Sequence, residues 1–163
     1  MPLIADLKQH PQHLDFVAHL VWREFWADVP GGMSQAELAT AFSGRGRPGW
    51  VLASLIALDD DASTPLGCVH LIDNDDSMQT ELYPWLAAMV VVPERRGQGI
   101  GSMLVRALMA RGLELGFEQF WFGTDGPGFY ERLGALRHRE RKPGFWTMKL
   151  PLRAPRPTPA SPP

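Results

Sequence analysis

Residues 90–104, VVVPERRGQGIGSML, combine glycine and arginine in a pattern that could bind a phosphate-like anion. Gly97, Gly99 and Gly101 alternate with other residues between an apolar run and a helical pattern. A helix that begins in this way presents unpaired backbone N–H groups, and its dipole adds partial positive charge there. Glycine lets a ligand approach the backbone without a Cβ in the way, and Arg96 adds a charged donor. We therefore expect an anion site at this loop, above all for phosphate.

Three known phosphate-loop patterns can be compared with this stretch. The dinucleotide pattern G-x-G-x-x-G fails in both registers, because Ser102 and Leu104 stand where the third glycine is required. The P-loop pattern fails because the stretch contains no lysine. The pattern Arg/Gln-x-x-Gly-x-Gly/Ala is matched in full by Arg96, Gly99 and Gly101. A glycine turn that merely packs a helix on a sheet is the structural alternative.

The elements that position this loop are predicted from hydrophobic periodicity and turn signals. Apolar runs and alternation predict strands at residues 3–6, 50–58, 65–73, 82–92, 117–123, 135–141 and 144–152. Helical spacing predicts helices at residues 12–26, 34–42, 99–116 and 126–134. Ser34 and Glu37 have the spacing of a capping box at the start of the second helix. The order of elements predicts an α/β fold with a central β-α-β crossover.

These features resemble the GNAT-type acyl-CoA N-acyltransferase family. The resemblance rests on PWLAAMVVVPERRGQGIGSMLV and on GFYERLGA further along the chain, and it covers the order of elements over residues 3–150. It implies a single domain over residues 1–152 with the GNAT fold. That fold is a central mixed twisted sheet of six to seven strands with about four helices, and its strands splay apart at the coenzyme site.

The resemblance also implies a coenzyme site with acetyl-CoA as co-substrate. The pantetheine arm is expected on backbone groups of the strand before the loop, and the pyrophosphate on N–H groups of the loop itself. The residues concerned are Met89, Val90, Val91, Val92, Arg96, Gly97, Gln98, Gly99, Ile100, Gly101 and Ser102. The family often has an asparagine upstream of the second motif, where this chain has GTDGPG and no asparagine.

Two catalytic groups follow from the same resemblance. Tyr130 stands where a tyrosine hydroxyl protonates the departing thiolate, and a core aromatic is the alternative for this side chain. The donor to the carbonyl oxygen is expected to be a backbone N–H near Met89 or Val90. The implied reaction moves an acetyl group to a primary amine by direct attack in a ternary complex. The alternative function is a non-catalytic acyl-CoA-binding sensor or partner-docking module.

The general base is left open between several carboxylates, a histidine and water. Glu81 lies just before the central strand and is either a base or a solvated loop residue. A surface salt bridge is favoured for Glu24, and a core position for His70. The acidic stretches at residues 59–61 and 73–76 would attract cationic amines, but solvated loops explain them equally well.

Composition narrows the classes of partner and compartment. The formal net charge of -2 and the pI of about 6.2 give no basic field for nucleic acid. No apolar run has the length of a membrane span, and no leader is recognisable, so a cytoplasmic location is expected. The single cysteine, Cys68, is expected in the core. No His, Asp and Glu residues have metal-ligand spacing, so no metal is expected. The expected partner is a small-molecule or peptide amine, with a homodimer as one candidate assembly.

The proline-rich end of the chain generates a first prediction. Residues 153–163, RAPRPTPASPP, contain five prolines in eleven residues, a composition typical of disorder. Deleting residues 154–163 should leave folding and coenzyme affinity nearly unchanged, because such a segment buries little surface. Thermal denaturation of the full and shortened chains checks this. A fall of many degrees in melting temperature would mean that the tail packs on the domain.

Overall fold

The computed structural model describes residues 1–153 and 159–162, so most of the tail predicted to be disordered lies outside the described residues. Seven strands form one sheet in the order β1-β2-β3-β4-β5-β7-β6. They are β1 (Leu3–Asp6), β2 (Val51–Leu58), β3 (Pro65–Ile72), β4 (Trp85–Val91), β5 (Gln119–Thr124), β6 (Leu136–Lys142) and β7 (Phe145–Pro151). Neighbouring strands are antiparallel except β4 and β5, which are parallel. The predicted mixed sheet is confirmed.

Four α-helices accompany the sheet, as predicted: α1 (Leu14–Val21), α2 (Gln35–Phe42), α3 (Ile100–Glu114) and α4 (Pro127–Glu131). Successive strand residues point to opposite faces of the sheet, and helices cover both faces. Side chains such as Leu55 and Val69 pack with α3, whereas Ile56 and Cys68 pack with α1 and α2. The capping box at Ser34 is formed, since both of its hydrogen bonds are present. The last strand of the sheet, β6, is exposed along its whole length.

The first helix ends differently from the prediction of one regular helix over residues 12–26. After Leu14–Val21 the chain continues as a π turn over Trp22–Trp26, with the Ala27 N–H bonded to the Trp22 carbonyl at 2.9 Å. A π turn holds more residues per turn than an α-helix, so the apolar stripe loses its phase. Phe25 would continue the stripe of Val17 and Val21 but is 42% exposed. The π turn therefore leaves Phe25 in solvent, while Trp22 and Trp26 pack against the core.

Strand β4 carries an extra residue opposite β3. Cys68 pairs with Val90, and His70 pairs with Ala87. The chain therefore advances three residues along β4 where it advances two along β3. Ala88 has a φ of 53° within this bulge, in the left-handed region that non-glycine residues rarely adopt. A bulge of this kind bends its strand and redirects the side chains beside it.

The parallel neighbours β4 and β5 touch only at one end. Their single register pair joins Trp85 to Trp121, and the Trp121 N–H donates to the Pro84 carbonyl at 3.0 Å. Beyond that point the two strands diverge within the described sheet, which leaves one edge of β4 free. The splayed strands expected at the coenzyme site are therefore present.

Helix α3 lies close to β5 because a glycine faces a buried ring. An ideal Cβ on Gly112 would stand 2.4 Å from Cζ of Phe120 and 2.9 Å from Cδ1 of Leu152. Phe120 is fully buried and cannot swing aside. The absence of a side chain at Gly112 thus lets the C-terminal part of α3 pack directly on the Phe120 ring.

We expect Gly112→Ala to destabilise the fold by about 1–3 kcal/mol through overpacking. This cost should exceed the roughly 1 kcal/mol gained from the better helix propensity of alanine. Urea denaturation measures the difference. Gly128→Ala in α4 is the matched control, since its Cβ would have only an ordinary contact of 3.9 Å to Arg132. Gly112→Ala more stable than wild type would contradict the packing argument.

Candidate functional site

The glycine loop before α3 forms an open, electropositive concavity. Gly97 and Gly99 have φ values of 73° and 82°, and a Cβ on either would meet nothing within 4 Å. Both positions therefore need glycine for backbone conformation, while open space lies in front of them. The backbone N–H groups of residues 97–102 donate to no described residue. The free donors and the positive end of the helix dipole thus meet at this loop, as binding of an anion would require.

A cavity of about 290 Å³, here called the loop cavity, opens at this loop. It is lined by Glu24, Met89, Val90, Val91, Arg95, Arg96, Gly97, Gly99, Ile100, Gly101, Ser102 and Phe129. Nine of the eleven residues predicted to bind the coenzyme line the loop cavity. Val92 is buried in the core instead, and the Gln98 side chain turns to accept a bond from Nε of Arg95 at 3.1 Å.

The two arginines of the loop have different partners. Nη1 of Arg95 bonds the Asp59 carboxylate at 2.6 Å, and this bond lowers the pKa of Asp59 below its ordinary value. Arg96 donates from Nε to the Val91 carbonyl at 2.9 Å and from Nη2 to Glu24 at 3.2 Å. The salt bridge expected for Glu24 is therefore present. This salt bridge neutralises the Glu24 carboxylate beside the glycine loop, and it holds the Arg96 guanidinium in the cavity wall.

A second cavity of about 540 Å³, here called the transfer cavity, adjoins the loop cavity. The two share Glu24 and Met89, directly beside the bulge residue Ala88. The transfer cavity is lined by Glu24, Phe25, Trp26, Asp75, Leu86, Ala87, Ala88, Met89, Phe122, Gly123, Thr124, Asp125, Tyr130 and Phe145. The π turn contributes three of these side chains, which explains why Phe25 is exposed.

Tyr130 lies in the wall of the transfer cavity. Its ring packs against Phe122 and Phe129, with centroid separations of 4.3 Å and 4.9 Å. Its hydroxyl bonds to no described residue. Burial raises the pKa of Tyr130 to about 12, so the phenol keeps its proton throughout the neutral range. Such a group can donate a proton to an atom in the cavity.

The other predicted catalytic candidates lie in different environments. Glu81 is exposed in the turn before β4 and is not among the residues that line these cavities. His70 is fully buried, with Nδ1 at 2.8 Å from the Ser54 hydroxyl and its ring stacked on Phe42. Burial lowers the pKa of His70 to about 3, so the ring is neutral. The core position expected for His70 is present.

Asp75 is a carboxylate that the sequence did not single out. It belongs to the acidic stretch at residues 73–76, and alternation gave no reason to choose among its members. Asp75 as a residue is exposed to solvent, although its carboxyl group lies in the wall of the transfer cavity, where neighbouring protein atoms desolvate it in part. This partial desolvation, with a smaller effect of the Asp76 charge, raises the pKa of Asp75 to about 6. A carboxylate with such a pKa is ionised at neutral pH and can still accept a proton.

Two structural findings concern metals and membranes. Within residues 1–153 and 159–162, no three His, Cys, Asp or Glu side chains come together in a group that could hold a metal ion. Of the described helices, none combines the length and the apolar content needed to cross a membrane.

Comparison with known proteins identifies the fold. The enzyme aminoglycoside 6'-N-acetyltransferase from Enterococcus faecium superposes with a TM-score of 0.68 at 20% identity, covering 96% of this chain and 99% of that one. A GNAT family N-acetyltransferase from Escherichia coli, in complex with CoA, gives 0.67 at 23% identity, covering 93% and 82%. A PaiA N-acetyltransferase from Thermoplasma acidophilum, in complex with coenzyme A, gives 0.66 at 17% identity, covering 93% and 99%. At these identities the likeness is one of fold.

Sequence comparison gives the family. No curated protein matches the sequence. The model of the Acetyltransferase (GNAT) family matches residues 14–135, which include the glycine loop, the bulged strand and Tyr130. Since this match spans well over half of the chain, the protein belongs to the Acetyltransferase (GNAT) family.

Proposed function

We propose that the protein transfers an acetyl group from acetyl-CoA to a primary amine, by direct attack of the amine within a ternary complex. One observation carries this proposal. The loop cavity and the transfer cavity adjoin beside the bulge in β4, so an anion site and a candidate acid open into one continuous space. A coenzyme with its phosphates at the loop would place its thioester in the transfer cavity, next to a bound amine.

The coenzyme would be held mainly by backbone groups. The free N–H groups of residues 97–102 would bind the pyrophosphate, with Arg96 as the neighbouring cation. The pantetheine amides would pair with the free edge of β4 around Met89 and Val90, where the gap from β5 opens. Family membership and neighbours crystallised with coenzyme A support this placement. The backbone near the bulge would also supply the donor to the thioester carbonyl.

Tyr130 would be the general acid. The departing thiolate needs a proton, and the Tyr130 phenol is protonated and without a partner among the described residues. A covalent acyl-enzyme is disfavoured as an alternative route. The single cysteine, Cys68, is fully buried, and burial raises the pKa of its thiol well above the ordinary value. Direct attack in a ternary complex therefore fits the available groups better than a two-step transfer.

The remaining sequence-based assignments stay predictions. Glu81 as a base has no support from its position outside the cavities, and Glu24 is engaged with Arg96. The predicted cytoplasmic location and homodimer also stay predictions. A thiol-release assay with purified protein and a panel of amines tests the function as a whole. Release that depends on the amine favours the enzyme, whereas acetyl-CoA binding without release would favour the non-catalytic module.

Gly99→Val should abolish stabilisation of the fold by acetyl-CoA. The branched side chain would occupy the open space in front of the loop, where the pyrophosphate is proposed to bind. In the wild-type protein, acetyl-CoA at a hundredfold excess over its dissociation constant should add about 2.7 kcal/mol to the free energy of unfolding. Thermal shift with and without acetyl-CoA measures this gain.

Gly116→Val is the matched control for backbone strain. Gly116 lies just after the other end of α3, with a φ of 89° and nothing within 4 Å of an added Cβ. Both substitutions force valine into a left-handed conformation and should lower the melting temperature similarly. Only Gly99→Val should lose the shift caused by acetyl-CoA. An undiminished shift in Gly99→Val would rule out the loop as the phosphate site.

Tyr130→Phe should fold normally and bind acetyl-CoA, because the ring and its packing are kept. Loss of the acid should lower kcat by about 10²–10⁴-fold with little change in coenzyme affinity. Since the pKa of Tyr130 is raised to about 12, the wild-type rate should lose this acid only toward the alkaline extreme, as the phenol ionises. Steady-state kinetics across pH with a working amine checks both points. Turnover within about twofold of wild type would refute the assignment.

A further inference from the structure

A third cavity, here called the apolar cavity, lies between helices α1 and α2 and strands β2, β3 and β4. It has a volume of about 400 Å³, within the range of small-molecule sites. Its walls include the aromatic side chains of Trp26, Phe42 and Trp50. It shares four lining residues with the transfer cavity: Trp26, Asp75, Ala87 and Ala88. The apolar cavity therefore meets the transfer cavity at Asp75.

Asp75 differs from the acidic residues beside it in having no partner. Asp73 is bonded to Arg47 at 2.7 Å, and Asp76 forms an ion pair with Arg141 at 3.3 Å. The Asp75 carboxylate makes no hydrogen bond or ion pair with any described residue. An ionised carboxylate that has no partner and lies where two cavities meet is available to bind a cation.

The loop that carries Asp75 is held in place by buried contacts. Gln79 is buried, and its Nε2 donates to Asp76 and to the Thr147 hydroxyl on β7, both at 2.8 Å. The Asn74 amide donates to the Gln79 carbonyl at 3.2 Å. The bond to Thr147 ties the loop to the sheet, and the bonds among Asn74, Asp76 and Gln79 close the loop around Asp75. Its carboxylate is thereby positioned in advance for a ligand.

A buried histidine gives a second indication of a ligand in this cavity. His70 lies in the wall of the apolar cavity, and its Nε2 is buried without a hydrogen-bond partner among the described residues. Its other ring nitrogen already bonds the Ser54 hydroxyl. Buried polar atoms are nearly always hydrogen-bonded, so a hydroxyl of a bound molecule is a fitting partner.

We propose that the acceptor is a primary amine with an apolar, ring-containing body, which occupies the apolar cavity while Asp75 binds the ammonium group and takes its proton. The inference rests on the acetyl transfer proposed above. Asp75 is the one carboxylate that lines both the apolar and the transfer cavities. An amine held there has its nitrogen toward the thioester and its body against Trp26 and Trp50. A polycationic body would instead have to lose its hydration against aromatic walls.

The reaction balances with these groups. The ammonium nitrogen gives one proton to Asp75, which passes it to solvent, and the neutral amine forms a bond to the acetyl carbon. The bond from that carbon to sulfur breaks, and the thiolate takes the proton of Tyr130. The nitrogen then loses a second proton, which restores the Tyr130 phenol. Amide, free coenzyme thiol and one proton are the products.

The test compares amines with the full-length protein and acetyl-CoA. Phenethylamine and tyramine carry one ammonium group on a ring-containing body, whereas spermidine and kanamycin are polycationic. We expect kcat/KM for the two ring amines to exceed that for the polycations by at least about 10-fold, the effect of 1.4 kcal/mol. Asp75→Asn should lower kcat/KM for phenethylamine by about 100-fold or more, while acetyl-CoA affinity stays within about twofold.

Asp73→Asn is the matched control, since it removes the same charge from the same loop without facing the cavities. It should leave phenethylamine turnover within about twofold. Ser77→Trp would place an indole at the exposed edge of the apolar cavity and should raise KM for phenethylamine about 10-fold, with acetyl-CoA binding unchanged. Preference for the polycations, or full activity in Asp75→Asn, would overturn this inference and leave the proposed function standing. Binding of acetyl-CoA without turnover of any amine would instead overturn the proposed function.

Discussion

The extra residue in β4 is the constraint on which the rest of the site depends. A regular parallel pair would continue hydrogen bonding past Trp85 and Trp121 and would close the sheet. The bulge at Ala88 bends β4, and the gap between β4 and β5 opens beyond their one register pair. The left-handed alanine is a local cost that the surrounding core must outweigh.

Sequence predicted the elements well because their signals are local. The run of apolar residues before the loop, the capping box at Ser34 and the alternating glycines each depend on a few neighbouring positions. The π turn at Trp22–Trp26 was not predicted, since the periodicity of its residues is also compatible with a regular helix. Its extra residue is visible only once Ala27 is seen to bond the Trp22 carbonyl.

The environments of the three carboxylates Glu24, Asp75 and Glu81 could not be predicted from local sequence. Glu24 lies within a predicted helix, Asp75 follows a predicted strand and Glu81 precedes one, and nothing in their spacing identifies which of them lies in a cavity. Their distinct roles come from partners far away in the chain: Arg96 for Glu24, and the bond from Gln79 to Thr147 for the loop around Asp75. The free backbone donors of the glycine loop could be predicted from sequence because such donors need no distant partner. A side-chain site of this kind could not.

The exposed strand β6 has a consequence for association between copies of the chain. An outermost strand offers its free N–H and C=O groups to any other strand, which is a common route to aggregation. Here that strand reads LRHRERK, with Arg137, Arg139, Arg141 and Lys142 along seven residues. Arg137 and Arg141 are paired with Glu131 and Asp76, whereas Arg139 and Lys142 have no ion-pair partner among the described residues, and a second copy added edge to edge would bring these unpaired cations together. The charges on β6 thus disfavour hydrogen bonding between the open sheet edges of two copies.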